Sequence, residues 1–359
     1  VSAGFVPPPY PYERLEHLRA VAEALPGGCV DLSVGTPCDP PPPVVVEALG
    51  RSGTERGYPP SVGSLSLREA AVGWMARRLG VEVPPSAVAA CVGTKEFVAT
   101  LPGWLRLRSP GRDTVLYPAV SYPTYEMGAV LAGCRAVPYA SLEAIDPADA
   151  ARALCLWVNS PSNPTGELAD LGAAAAWGRA HGVPVFSDEC YVEFTWDGPP
   201  RTILAHGAEG VVAVHSLSKR SNMAGLRVGF YAGDPDLVGY LAEVRKHAGF
   251  MVPGPVQAAA AAALGDDAHV AAQRRRYLER LELMAKVLGA PMPQGGFYLW
   301  VPAPGGDEWS YVDWLARVGG CLVSPGEFYG PAGRGHVRVA VVAPTERLRL
   351  VGERLGAAG

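Results

Sequence analysis

Lysine is scarce in this chain. Only Lys95, Lys219, Lys246 and Lys286 carry an ε-amine among 31 basic side chains, so any lysine chemistry has four candidates. Charge of either sign is also sparse, at 18% of residues with a net charge of −4, and no basic stripe interleaves with aromatics. A nucleic-acid partner is therefore not expected. The one basic run, Arg274-Arg275-Arg276, reads as a solvated helix face. No apolar stretch approaches the roughly 18 residues of a membrane span, so no membrane partner is expected. The Pro-rich start, Val1 to Tyr12, lacks the charged-then-apolar order of an export signal. Cys-x-x-Cys pairs are missing. The seven cysteines (Cys29, Cys38, Cys91, Cys134, Cys155, Cys190 and Cys321) are scattered, which argues against zinc or iron–sulfur sites. They read instead as reduced thiols of a cytoplasmic enzyme. The 43 glycines and 35 prolines follow no period, which excludes collagen and solenoids.

What is present is apolar bulk: 48% hydrophobic residues in 359, more than one ordinary core, which predicts two lobes. The middle of the chain alternates short β-branched runs with longer helical ones. Strands are predicted at 87–92, 114–117, 134–138, 154–158, 183–187, 211–215 and 228–232, and helices at 64–79, 95–106, 122–132, 170–181 and 235–248. Runs that are apolar almost throughout, such as Val183-Pro184-Val185-Phe186, suit a sheet covered on both faces. The alternation implies a mostly parallel α/β sheet. Beyond residue 250, helices near 255–264, 267–288, 309–318 and 345–355 surround short strands at 297–301, 321–324 and 336–342, an α+β pattern. The expected division is a large domain at 40–250 and a small one built from 1–39 and 251–359, with the Pro-rich arm packing on the latter.

The strongest local signal is His215-Ser216-Leu217-Ser218-Lys219-Arg220-Ser221-Asn222-Met223-Ala224-Gly225-Leu226-Arg227-Val228-Gly229. Here an apolar strand delivers two serines and one of the rare lysines to its carboxyl end, where α/β sheets bind ligands. A partly desolvated amine at such a place has a lowered pKa and can form a Schiff base. Asp188, in Ser187-Asp188-Glu189-Cys190-Tyr191, ends another buried strand and by itself could equally be a helix cap. Asn163-Pro164-Thr165-Gly166 follows a third strand and alone is ordinary turn chemistry. Val92-Gly93-Thr94-Lys95-Glu96 reads as a strand, a glycine turn and a helix start offering free N–H groups to an anion.

Together and in this order, these strand ends supply an amine, a carboxylate, an amide and an anion nest. The set resembles the class I/II aminotransferases over essentially the whole chain. The S-x-S-K-x(7)-R-x-G block, the N-P-T-G turn, the D-E-x-Y strand end and the segment from Tyr58 through Gly63 to Leu67-Arg68 all have counterparts here. The resemblance implies an α/β chain of the fold type I pyridoxal-phosphate transferases, with a mostly parallel mixed sheet in the large domain plus a smaller α+β domain. The implied cofactor is pyridoxal 5'-phosphate.

Roles follow from the resemblance residue by residue. Lys219 matches the lysine that holds the cofactor as a Schiff base and moves the proton. Asp188 matches the carboxylate that keeps the ring nitrogen protonated. Tyr191 and Asn163 match the partners of the ring's phenolic oxygen, and Tyr122 the aromatic stacked on the ring. Thr94, Lys95, Ser216, Ser218 and Arg227 match the phosphate pocket, although Thr94-Lys95 stands where many members have small residues. Tyr58 matches a tyrosine that reaches the phosphate of the other subunit, implying a homodimer with shared active sites. Arg338 and Gly35 match the groups that bind the substrate's α-carboxylate, with Asn163 beside them.

The implied substrates are small amino acids and 2-oxo acids, glutamate and 2-oxoglutarate among them. The strings Val92–Phe97 and Asp31–Pro37, with the Arg220–Met223 variant, are most like the N-succinyl-diaminopimelate aminotransferases of bacterial lysine biosynthesis. Other class I/II aminotransferases and pyridoxal-phosphate carbon–sulfur β-lyases share the same residues. A non-catalytic effector-binding module and a nucleotide-binding oxidoreductase are more distant readings. The aromatics of Gly295-Gly296-Phe297-Tyr298-Leu299-Trp300 are expected in the small-domain core, and His215 is expected to be a hydrogen-bonded strand-end residue.

Overall fold

The computed structural model describes residues 4–357. In chain order its strands are β1 (Val30–Asp31), β2 (Val88–Cys91), β3 (Thr114–Pro118), β4 (Arg135–Tyr139), β5 (Ala153–Asn159), β6 (Val185–Asp188), β7 (Val211–Ser216), β8 (Gly229–Gly233), β9 (Tyr298–Pro302), β10 (Cys321–Leu322), β11 (Ser324–Pro325) and β12 (His336–Ala340). Seven of them form one sheet in the order β2-β8-β7-β6-β5-β3-β4. β8 runs antiparallel to both its neighbours and the other pairs are parallel, so the carboxyl ends of β2, β5, β6 and β7 share one edge. The fold is the expected mixed, mainly parallel α/β architecture.

Alternation along the strands explains why the sheet is buried on both faces. Ala90, Leu116, Leu156, Val185, Ala213 and Phe230 point into one core, while Cys91, Val115, Cys155, Phe186, Val212 and Tyr231 point into the other. The covering helices start where their caps dictate. Asp170 accepts from the Ala173 amide and Gly182 closes the helix Leu171–His181 in the left-handed conformation. Asp234 caps Pro235–His247 with proline in the first turn.

A second unit contains the antiparallel sheet β11-β12-β9 and the parallel pair β1-β10, around a core that includes Leu18, Leu281, Phe297, Val339 and Leu348. The amino-terminal arm packs on it through Tyr12 against Phe328, at 5.7 Å between ring centroids, and Arg14 against Glu327. Some boundaries differ from the sequence-based expectation. Pro43 opens a helix, Pro43–Arg51, that the sequence-based reading did not include, because proline suits a first turn that needs no N–H. The run 321–324 breaks into β10 and β11, which join different sheets. Arg274 is not simply solvated, since its guanidinium donates to the carbonyls of Glu193 and Thr195. Among the described residues no helix is long and apolar enough to cross a membrane.

Candidate active site

The shared strand edge opens into a cavity of about 410 Å³ whose walls include Thr94, Lys95, Tyr122, Asn163, Asp188, Tyr191, Ser216, Ser218, Lys219, Arg227, Gly35 and Arg338. Every site residue expected from the sequence therefore lies on one cavity, except Tyr58. Tyr58 is 97% exposed and is not part of the cavity wall in the single chain. A larger apolar groove of about 1100 Å³, lined by Leu283, Val287, Tyr311 and Trp314, belongs to the second unit and shares no residue with it.

Lys219 sits on a single helical turn, Leu217–Arg220, directly after β7. Ser216 caps that turn by accepting from the Ser218 amide at 3.1 Å. The Lys219 amine donates to the Gly35 carbonyl. Burial, reinforced by the charges of Arg338 and Arg227 and opposed by Cys190, pushes the Lys219 amine down to about 8.

Asp188 ends β6 and is buried. Its Oδ2 accepts from the Tyr125 hydroxyl at 2.9 Å and its Oδ1 from the Cys190 amide at 3.2 Å. Burial raises its pKa despite those donors, so the site favours a cationic group opposite this carboxylate.

Asn163 is held by its neighbour of four positions earlier. The Asn159 side chain accepts from the Asn163 amide at 2.7 Å and donates to the Asp188 carbonyl at 2.8 Å, tying the N-P-T-G turn to β6. The Asn163 Oδ1 accepts from Arg338 at 2.8 Å, which leaves the Asn163 amide NH₂ free for the cavity. Arg338 is buried between aromatic faces, with its guanidinium carbon 4.2 Å from the Tyr298 ring and 4.8 Å from the Tyr329 ring. It also donates to the Ser33 carbonyl and, at 3.4 Å, to the Tyr12 hydroxyl.

At the opposite wall, Gly93 has φ +77° and a Cβ there would lie 2.2 Å from the Arg227 guanidinium. Only glycine allows that approach. Arg227 makes no salt bridge among the described residues; it donates to the Ala224 carbonyl at 2.8 Å. The first turn of Thr94–Arg108, the Ser216 and Ser218 side chains and this guanidinium form a donor-rich corner suited to a phosphate, and the carboxylate of that turn, Glu96, is paired with Arg245. The Lys95 side chain does not close that corner. It is exposed and donates to the Tyr10 hydroxyl at 3.1 Å. The donor corner, the buried carboxylate and the enclosed amine together fit pyridoxal phosphate.

Wall residues that escaped the sequence analysis include Tyr10, Tyr12, Asn159 and Tyr298. Tyr298 is buried in the small-domain core as expected, and its hydroxyl also reaches the cavity wall, 2.8 Å from that of Tyr191. Tyr125 lies behind the wall. Only its place in Ser121-Tyr122-Pro123-Thr124-Tyr125, three residues after Tyr122 on a helix start, hinted at a role. His215 also departs from expectation. Both of its ring nitrogens lack hydrogen-bond partners, with Glu189 Oε2 at 3.6 Å.

The fold and this site define an aminotransferase of the pyridoxal-phosphate-dependent kind. The chain belongs to the family Aminotransferase class I and II, whose model matches residues 28–355. It is 45% identical to a 4-dedimethylamino-4-oxo-anhydrotetracycline transaminase of Streptomyces rimosus, over 97% of this chain and 99% of that one. It is 44% identical to a probable aminotransferase of Mycobacterium tuberculosis, over 97% of this chain and 85% of that one. Among solved structures, a probable N-succinyldiaminopimelate aminotransferase of Thermus thermophilus superposes with a TM-score of 0.87 at 31% identity, covering 98% of this chain and 100% of that one. The enzyme is thus a pyridoxal-phosphate-dependent transaminase acting on small amino and oxo acids.

Proposed function

We propose that this transaminase exchanges an amino group between glutamate/2-oxoglutarate and N-succinyl-LL-2,6-diaminopimelate, as a cytoplasmic homodimer with shared active sites. The large domain of this reading spans 40–250, and the small one combines 1–39 with 251–359. The observation that carries the transaminase chemistry is the convergence of an enclosed amine, a buried carboxylate and a buried guanidinium on one cavity: Lys219, Asp188 and Arg338.

Pyridoxal phosphate, when bound, supplies an electrophilic carbonyl and a protonated ring that withdraws electrons from the substrate's Cα. The chain supplies the rest. Asp188 would keep a proton on the ring nitrogen, which would give its buried carboxylate the cationic partner that its surroundings lack. Tyr122 would pack on the ring, and Tyr191 and the free NH₂ of Asn163 would donate to the phenolic oxygen. Thr94, the Lys95 backbone, Ser216, Ser218 and Arg227 would hold the phosphate, and Tyr58 would reach it from the other subunit. Arg338 grips the substrate's α-carboxylate bidentately beside the Gly35 backbone. Lys219, with its amine already pushed down to about 8, takes the Cα proton as general base.

The succinylated substrate is supported by the Asp31–Pro37 and Val92–Phe97 strings and by the Thermus relative. A second reading, a larger cyclic ketone as acceptor, is favoured by the 45% identity to the Streptomyces enzyme. Single-turnover transfer with glutamate, followed by a panel of oxo acceptors including the keto form of succinylated diaminopimelate, separates the two. Ammonia release in place of oxo-acid exchange would establish a β-lyase instead.

A further inference from the structure

We propose that Tyr298 is a positioning residue that turns the Tyr191 hydroxyl toward the cofactor and links it to the arginine that binds substrate. The inference rests on the roles proposed above for Tyr191 and Arg338.

Tyr298 and Arg338 are diagonal neighbours on one face of the small sheet. In the β12–β9 register, Arg338 lies opposite Trp300 and Tyr298 opposite Ala340, so the two side chains lean together on the cavity side. The Tyr298 ring covers the guanidinium at 4.2 Å and its hydroxyl lies 2.8 Å from that of Tyr191. The hydroxyl is held tightly: a Cβ on Gly35 would come within 2.1 Å of it, so residue 35 must stay a glycine for Tyr298 to reach its place. Tyr298 itself is 2% exposed.

The direction of the hydrogen bond decides what Tyr191 can do. A phenol has one proton to give. If Tyr191 gives it to Tyr298, none remains for the ring oxygen. If Tyr298 donates, the Tyr191 proton is free to point into the cavity. The charge of Arg338 on the Tyr298 face favours the second arrangement, because a nearby cation makes a phenol more acidic and a better donor. Burial raises the pKa of Tyr298, and Arg338 is the main influence opposing it; on Tyr191 Arg338 comes after burial, Tyr298 and Cys190. Arg338 thereby does two things: it binds the carboxylate and polarises the phenol that orients Tyr191. Neutralising Arg338 by bound substrate weakens that polarisation, coupling carboxylate binding to the ring oxygen's hydrogen bond.

The test is a pH titration of the visible absorption of the holoenzyme in Tyr298→Phe, Tyr191→Phe and the double variant. A donor to the ring oxygen stabilises the unprotonated Schiff base, so its loss raises the titration midpoint. Tyr298→Phe keeps the ring over Arg338 and removes only the hydroxyl. The expected result is a midpoint raised by about 0.5–1 unit, a three- to tenfold change in proton affinity. KM for the amino donor should stay within twofold. In the double variant the shift should equal that of Tyr191→Phe alone, since Tyr298 acts through Tyr191. Tyr298→Leu, which also uncovers Arg338, should in addition raise KM about fivefold or more. An unchanged midpoint in Tyr298→Phe, or additive shifts in the double variant, overturns the proposal. A wild-type protein with no titrating visible band overturns the underlying roles as well, which distinguishes the two failures.

Discussion

Tyr125 donates a 2.9 Å hydrogen bond to Asp188 from 63 positions away in the chain, with both side chains buried. The Tyr125 ring is stacked on Trp157 at 5.1 Å, which fixes the phenol in place. The carboxylate at the end of β6 is thus oriented by a residue from the helix Thr124–Leu131 and by its own following amide.

Replacing Tyr125 by Phe leaves Asp188 with the Cys190 amide alone. A hydrogen bond to a charged group contributes about 1.5–3 kcal/mol, so kcat should fall by roughly tenfold or more while pyridoxal phosphate stays bound through its phosphate groups. Asp188→Asn should be far more severe, because an amide cannot hold a proton on the ring nitrogen. Exchange of the substrate's α-proton, followed by NMR, should rank the proteins wild type, Tyr125→Phe, Asp188→Asn. Wild-type exchange in the last would remove Asp188 from its role.

Lys219→Ala should abolish both the visible band of the bound cofactor and turnover. Of the other lysines, Lys95 points to Tyr10 at the mouth, Lys246 is on an exposed helix face, and Lys286 lines the separate groove. The pH dependence follows from the lowered pKa. The neutral amine is half formed at about 8 rather than near the ordinary lysine value. Capture of pyridoxal phosphate by the apoprotein, followed by stopped-flow absorbance, should rise about tenfold per pH unit below 8 and level off above it.

Glu189 and His215 bury a pair of titratable groups on the far side of Asp188 and Ser216. Burial pushes Glu189 up to about 7 and His215 down to about 3. A carboxyl whose pKa is higher folded than unfolded destabilises the protein above the folded value, and the penalty fades as pH falls through it. Glu189→Gln should therefore stabilise the apoprotein at pH 8 by about 2–3 kcal/mol and change little at pH 5. The Gln carbonyl can still accept from the Ile203 amide, as Glu189 does at 2.8 Å. Urea unfolding at the two pH values is the measurement, and equal effects at both would refute the assignment.

Tyr58 is 97% exposed in the single chain, and the proposed reading has it reach the phosphate of the other subunit. Tyr58→Ala and Lys219→Ala would then damage complementary halves of one site. A mixed dimer has one doubly altered site and one intact site. Differentially tagged hybrids should be more active than either parent. Activity equal to the parental average would make Tyr58 an ordinary residue of its own chain.

The sequence by itself determined the α/β sheet, its two-sided burial and the placing of Lys219, Asp188, Asn163 and Thr94 at strand ends. Each of these depends on local rules: apolar runs set strands, and polar residues directly after them mark the ends. Arg338, Arg227 and Gly35 were legible only through the spacing of family motifs. Tertiary structure alone decided which groups touch. Periodicity assigns a residue to a face but not to a neighbour, so Tyr298 read only as core, which it is, and its contact with Arg338 came only when β9 met β12. Tyr125 finds Asp188 only after two helix–strand units pack, and Lys95 turns outward because Tyr10 of the folded-back arm offers its hydroxyl and ring face. Contacts of long sequence separation depend on strand order and register, which no short stretch of this chain encodes alone.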